Sequence, residues 1–129
     1  AVRALLDAHV FIWWVLDMPN LSDSCREMLV DGENEILLST ASSYEIAYKA
    51  DQGRLALPDT PEAYIRSRLA ANGFGSLPIE LSHALRAGTL PGIHRDPFDR
   101  LLVAQAQIEG LPILTADPAI SRYDVETIW

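Results

Sequence analysis

Short apolar runs alternate with longer amphipathic stretches along this chain. Ala4-Leu5-Leu6 has strand length and stops at Asp7. Val10 to Leu16 is apolar throughout and predicts a buried helix. Ser22 to Val30 predicts a second helix, opened by a Ser or Asp cap and stopped near Gly32. Glu35 to Ser39 predicts a second strand. Ser39 or Thr40 can cap a helix from Ala41 to about Asp51, which Gly53 ends. Pro58 and Pro61 punctuate a loop, and Pro61 suits the first turn of a helix through Leu69. Gly73 and Gly75 end that helix. Leu77-Pro78-Ile79 is an edge-strand candidate, because its proline cannot donate to a central ladder. Ser82 to about Gly88 predicts a short helix. Pro97 to Ile108 predicts a longer one, with Leu101, Ala104 and Ile108 on one stripe. Leu111 to Thr115 predicts another strand with Pro112 at its start, and Val125 to Trp129 a last one. Strands alternating with helices predict an α/β fold, a central and mainly parallel sheet flanked by helices on both sides.

Length and composition keep that picture and narrow it. The 129 residues suit a single domain over residues 1–129, and 49% hydrophobic content is enough to bury a core. No apolar run reaches the ~18 residues of a membrane span. The start, Ala1 to Asp7, lacks the long apolar stretch of a secretory signal. The one cysteine, Cys25, has no internal disulfide partner and reads as a small buried apolar residue on the Ser22–Val30 helix. A reducing cytoplasm is the expected setting.

Charge raises a question. A net charge of −8 opposes nucleic-acid binding, which rests on neutralising phosphates. Either nucleic acid plays no part, or some of the acids gather where cations sit. Asp7 ends the first strand and Asp117 follows the Leu111–Thr115 strand. Glu45 lies about a turn into the helix after Glu35–Ser39. Sites in open α/β sheets form beyond the carboxyl ends of strands, so these three can converge there. Asp99, in the first turn of the Pro97 helix, joins them if that helix starts at the same end.

Each acid also has a purely structural explanation. Asp96-Pro97-Phe98-Asp99 is a helix start, with Asp96 as N-cap and Asp99 as its third-residue partner. Asp117-Pro118 has the same grammar. Glu45 can pair with Lys49 four residues on. Asp7 can cap the helix at His9. Yet Asp7 and Glu45 lie in largely apolar sequence, and buried carboxylates without partners are costly. A bound cation is one way to offset that cost.

The chemistry gives four such acids a common purpose. Phosphodiester hydrolysis needs an activated water and a stabilised oxyanion, and Mg²⁺ or Mn²⁺ held by carboxylates supplies both. No Cys/His spacing suggests zinc, and there is neither a Walker-type loop nor a Gly-x-Ser-x-Gly elbow. Thr115, two residues before Asp117, can orient a carboxylate or a metal-bound water. Ser42, three residues before Glu45, can do likewise, though a helix-start serine explains it. His9, His83 and His94 read foremost as locally satisfied polar residues. Arg95 and Arg100 can meet phosphate or balance the acids. Of the adjacent Trp13 and Trp14, one can face the core, leaving the other for a partner chain or a base.

These residues resemble a known family. Leu5-Leu6-Asp7-Ala8-His9-Val10-Phe11-Ile12-Trp13-Trp14 is similar to the opening of PIN-domain ribonuclease toxins of the VapC family, from type II toxin–antitoxin pairs. Ser39 to Lys49 resembles their second acidic motif, His94 to Ala106, with Asp-Pro-Phe-Asp-Arg at its heart, the third, and Leu114-Thr115-Ala116-Asp117 the fourth. The order and spacing hold over nearly the whole chain. The resemblance implies a PIN fold, RNA cleavage with Mg²⁺ or Mn²⁺, silencing by a cognate VapB-like antitoxin, and a homodimer. It makes Asp7, Glu45, Asp99 and Asp117 the catalytic and metal-binding acids and ranks Asp7 and Asp99 first as direct ligands. Thr115 matches the supporting hydroxyl, and Asp96 assists or simply caps its helix. Two positions depart from the usual pattern. His9 stands where many PIN domains carry Asn, a variation that one branch of the family shares, and Ala8 where Thr is usual in that branch. A haloacid-dehalogenase-type phosphotransferase would need a second Asp at position 9. A nuclease for structured DNA would be larger and carry more acids. A non-catalytic PIN-like module that only binds RNA or protein would have lost acids, and none is missing.

Overall fold

The computed structural model describes residues 1–129. Its elements are β1 (Arg3–Leu6), α1 (Ala8–Val15), α2 (Asp23–Val30), β2 (Glu35–Ser39), α3 (Thr40–Asp51), α4 (Pro61–Asn72), β3 (Gly75–Leu77), α5 (Leu81–Gly88), α6 (Pro97–Glu109), β4 (Ile113–Leu114) and β5 (Thr127–Ile128). The strands form one sheet in the order β3-β2-β1-β4-β5, and every neighbouring pair is parallel. Parallel pairing forces a crossover at each connection; α-helices supply all but the last, where β4 reaches β5 through a loop with one 3-10 turn at Ile120–Arg122.

Alternation along the strands decides which helix covers which face. Ala4, Leu6, Ile36, Leu38 and Leu114 point to one side, where Val10 and Phe11 of α1, Cys25 and Leu29 of α2 and Ile65 of α4 pack. Leu5, Leu37 and Ile113 point to the other, against Leu102, Val103 and Ala106 of α6. The sheet is thus buried on both faces, as its nearly continuous apolar strands require.

The helix boundaries follow the caps. Ser22 accepts from the Cys25 amide, Ser39 from the Ala41 amide and Thr60 from the Ala63 amide. Gly110 closes α6 with φ of 67°, a left-handed turn that glycine adopts without strain. No helix is long and apolar enough to cross a membrane.

Three details differ from expectation. The edge strand lies two residues earlier, at Gly75–Leu77. A Cβ at Gly75 would approach Leu37 to 2.6 Å, so glycine permits the close pairing with β2, and Pro78 stops the ladder. On α6 the stripe through Leu101, Ala104 and Ile108 is not the buried face. Leu102 to Ala106 are all buried, while Leu101 and Ile108 are partly exposed, because α5 and α3 pack against α6 as well as the sheet. Neither Trp13 nor Trp14 is left free. Trp14 Nε1 donates to Asn72 Oδ1 at 2.9 Å, and the Trp13 ring lies 5.8 Å from that of Trp129.

Arg100 is a structural anchor. Its guanidinium donates to the carbonyls of Ala87 (2.8 Å), Leu90 (3.0 Å), Pro91 (3.1 Å) and His94 (3.3 Å). It neither faces open solvent nor pairs with the acids, contrary to the sequence expectation. These bonds pin the segment from the end of α5 to His94 onto α6. Arg100→Met should lower stability by about 3 kcal/mol, because several carbonyls lose a charged donor at once. Urea unfolding monitored by circular dichroism measures this.

Candidate metal centre

The carboxyl ends of β1, β2 and β4 all point to one edge of the sheet, and the candidate acids collect there. Asp7 follows β1 directly. Its Oδ1 caps α1 by accepting from the His9 amide at 2.9 Å, and its Oδ2 accepts from the Thr115 hydroxyl at 2.6 Å. Capping and site position are therefore the same feature, not alternatives. Thr115 lies just after β4, and its Oγ1 also accepts from the Asp117 amide at 3.0 Å. One hydroxyl thus ties the end of β1 to the Asp117 loop. Asp117 Oδ1 accepts from the Ala119 amide at 2.8 Å, which leaves Oδ2 facing inward.

Asp99 comes from the first turn of α6, which does start at this edge. Asp96, its N-cap, accepts from the Phe98 and Asp99 amides at 2.8 and 3.4 Å. Asp99 does not return the bond to Asp96. The Asp96 amide donates to His94 Nδ1 at 3.2 Å, and Asp99 is turned into the cluster.

His94 is the member that sequence reasoning undervalued. Its Nε2 lies 3.0 Å from Asp99 Oδ2 and 3.1 Å from Asp117 Oδ2. Because Nδ1 accepts from the Asp96 amide, the ring hydrogen belongs on Nε2, which donates to Asp117 Oδ2 and lies within ion-pair distance of Asp99 Oδ2. His94, Asp99 and Asp117 offer ligand atoms that all lie within 4.8 Å of one another. Only the His-x-Asp-Pro-Phe-Asp spacing hinted at this, since Asp117 is 23 residues away.

Glu45 is buried on α3 and bonded to Lys49, so the helix pair expected from sequence forms. Glu45 is also near enough for its charge to act on Asp99. Ser42 is buried one turn earlier on the same helix. His9 Nδ1 lies 3.4 Å from Asp7 Oδ1, which holds the imidazole pKa above its usual value. His83 lies apart from the cluster. It accepts from the Glu80 amide at 2.9 Å and its other nitrogen meets Glu109, a locally satisfied residue as expected.

Electrostatics separate the acids. Burial pushes the Asp7 carboxyl up, but hydrogen bonds from His9 and Thr115 outweigh it and leave the pKa below the ordinary value. Asp99 goes the other way, to about 7. Burial is the largest cause, followed by the charges of Asp96, Asp7 and Glu45, with His94 offsetting a part. A carboxylate crowded by other carboxylates is what a cation relieves. The carboxylates are hard oxygen donors, which suit Mg²⁺ or Mn²⁺. The residues present therefore fit a divalent ion.

Thr115→Val keeps the shape and removes the shared hydroxyl. Asp7 then loses its short bond and the Asp117 amide its acceptor. Metal affinity should fall roughly ten- to a hundredfold, the range for loss of a group that orients ligands. Titration calorimetry with Mn²⁺ measures it.

The PIN domain family model matches residues 4–126. Among solved structures, VapBC2 from Rickettsia felis, bound to a promoter DNA fragment, is similar with a TM-score of 0.70 at 14% identity, covering 98% of both chains. A toxin–antitoxin complex from Klebsiella pneumoniae gives 0.64 at 19%, covering 98% of this chain and 96% of that one. DNA-bound VapBC from Salmonella typhimurium gives 0.69 at 16%, covering 99% and 98%. A comparison with curated protein sequences gave no match.

Proposed function

The chain belongs to the PIN-domain family, and from that premise we propose that it is a metal-dependent endoribonuclease, the toxin of a type II toxin–antitoxin pair. The observation that carries this reading is the convergence of Asp99, Asp117 and His94 beside Asp7 and Glu45 at the carboxyl edge of a parallel sheet. Asp7, Asp99, Asp117 and Glu45 would hold the ion. Bound there, Mg²⁺ or Mn²⁺ supplies an activated water and neutralises charge on the phosphate.

The protein's own residues prepare that site. Thr115 fixes the Asp7 carboxylate, and Nε2–H of His94 bonds Asp117 close beside Asp99. Lys49 bonds Glu45 and sets a positive charge beside the acids. His9 keeps a proton next to Asp7 more readily than a free histidine does. A pocket of about 250 Å³, lined by His9, Glu45, Lys49 and Arg54, opens beside them.

A cognate VapB-like antitoxin, a homodimer and a cytoplasmic setting complete the proposal. Support for the antitoxin is that a structural relative is a toxin–antitoxin complex. Support for a dimer is the apolar surface at Leu81 and Leu85, 74% and 63% exposed, which a second copy would cover. The non-catalytic alternative has no loss of acids to favour it.

Removal of metal tests the enzymatic reading. Purified protein should cleave single-stranded RNA in Mg²⁺ or Mn²⁺, stop in excess chelator, and resume when the ion is restored. Undiminished cleavage in chelator contradicts it.

A further inference from the structure

Beside the acids lies a surface that the hydrolytic reading leaves unused. Tyr44 and Tyr48, one turn apart on α3, are 62% and 47% exposed. Their rings lie nearly parallel, with centroids 6.2 Å apart and planes 14° apart. Phe98, from the first turn of α6, extends the row at 5.6 Å from Tyr44. Large aromatic faces exposed side by side expose apolar area that burial would recover.

Cations border this row. The chain has ten Lys and Arg residues. Lys49, Arg54 and Arg95 line a single pocket of about 390 Å³ together with Tyr48, Phe98 and Glu45. Arg54 and Arg95 are exposed. Arg54 is steered by a short relay, since its Nη1 donates to Gln52 Oε1 at 3.4 Å and Gln52 Nε2 donates to the Tyr48 hydroxyl at 2.9 Å. In a chain of net charge −8, this positive ground is contiguous with the acid cluster through Glu45 and Asp96.

We propose that this face is the subsite for single-stranded RNA flanking the scissile phosphate. Tyr44, Tyr48 and Phe98 stack unpaired bases, and Arg54 and Arg95 take the adjoining phosphates. The proposal rests on the nuclease reading above and adds the residues that hold the strand beside the cut. Aromatic side chains stack bases of any sequence, but only where neighbouring bases do not already cover the faces. A duplex hides those faces, so this arrangement selects unpaired RNA. The cations favour RNA over a protein partner, because phosphates accompany every base at a regular spacing.

Binding is read by fluorescence anisotropy in an Asp7→Asn background that cannot cleave. The probes are a labelled oligoadenylate of about 12 nucleotides, within the usual site sizes for single strands, and an RNA duplex of equal length. Tyr44→Leu and Tyr48→Leu should each weaken single-strand binding roughly tenfold, while Tyr44→Phe retains it. Arg95→Glu, at an exposed position with no fold to disturb, should weaken binding and flatten its salt dependence. The duplex should bind more weakly and ignore the Tyr→Leu changes. Unchanged single-strand affinity in both Leu variants overturns the subsite. So does a change in sedimentation mass caused by those variants, which would mark the face as a protein interface. Wild-type cleavage measured alongside separates the two levels. Cleavage with unaffected Leu variants removes only the subsite, whereas no RNA cleavage at all removes the nuclease reading and the subsite with it.

Discussion

Asp7→Asn is expected to lower RNA cleavage by roughly a thousandfold or more, the scale seen when a group that stabilises developing charge is lost. The fold should barely change, and the reason is local. Asn is as good an N-cap as Asp, so its carbonyl oxygen keeps the His9 amide. Its amide nitrogen then faces Thr115, whose hydroxyl can turn to accept where it had donated. What disappears is the negative charge and one oxygen able to bind a cation. Thermal unfolding within a few degrees of wild type, together with loss of cleavage, separates this outcome from misfolding.

Asp99→Asn should abolish cleavage and stabilise the metal-free protein. The folded state keeps the Asp99 proton up to about pH 7, while an unfolded aspartate releases it near 4. Between those values the folded state binds more protons, so this group's contribution to stability falls as pH rises through the window. Above about 7 the ionised carboxylate costs the fold its full amount, about 2 kcal/mol once relaxation and screening are allowed for. Asparagine removes that cost. The variant's Tm should therefore exceed wild type by about 5 °C or more at pH 8 without metal, and the gain should shrink toward pH 4. In wild type the same proton competes with a cation, so the metal needed for half-maximal cleavage should fall as pH rises toward and past about 7. A wild-type and variant Tm that coincide at pH 8 would remove the case for crowded charge at Asp99.

Much of this was legible in the sequence because it is written locally. Caps at Ser22 and Ser39, Pro61 in the first turn of α4 and the apolar strand runs each act within a few residues. The position of Asp7, Glu45 and Asp117 after strands was legible for the same reason. What was not legible depends on distant partners. The β3 register is set by Leu37, some forty residues before it, against a glycine with no side chain. The broad buried face of α6 exists because α5 and α3 pack against it as well as the sheet, which periodicity alone cannot reveal. Gln105, buried there, donates to the carbonyls of Leu77 and Pro78. His94 looks like a loop residue until Asp117 is folded against it. Arg100 looks like a substrate cation until the α5–α6 loop closes over it.

The central claim is that the acids at this sheet edge cleave RNA through a bound divalent ion. Mapping of RNA ends after brief expression of wild type and Asp7→Asn, with both proteins shown to be folded, tests it most directly. Discrete new ends in the wild-type sample that are missing from the variant are the predicted result. The same ends at the same yield from Asp7→Asn would contradict it.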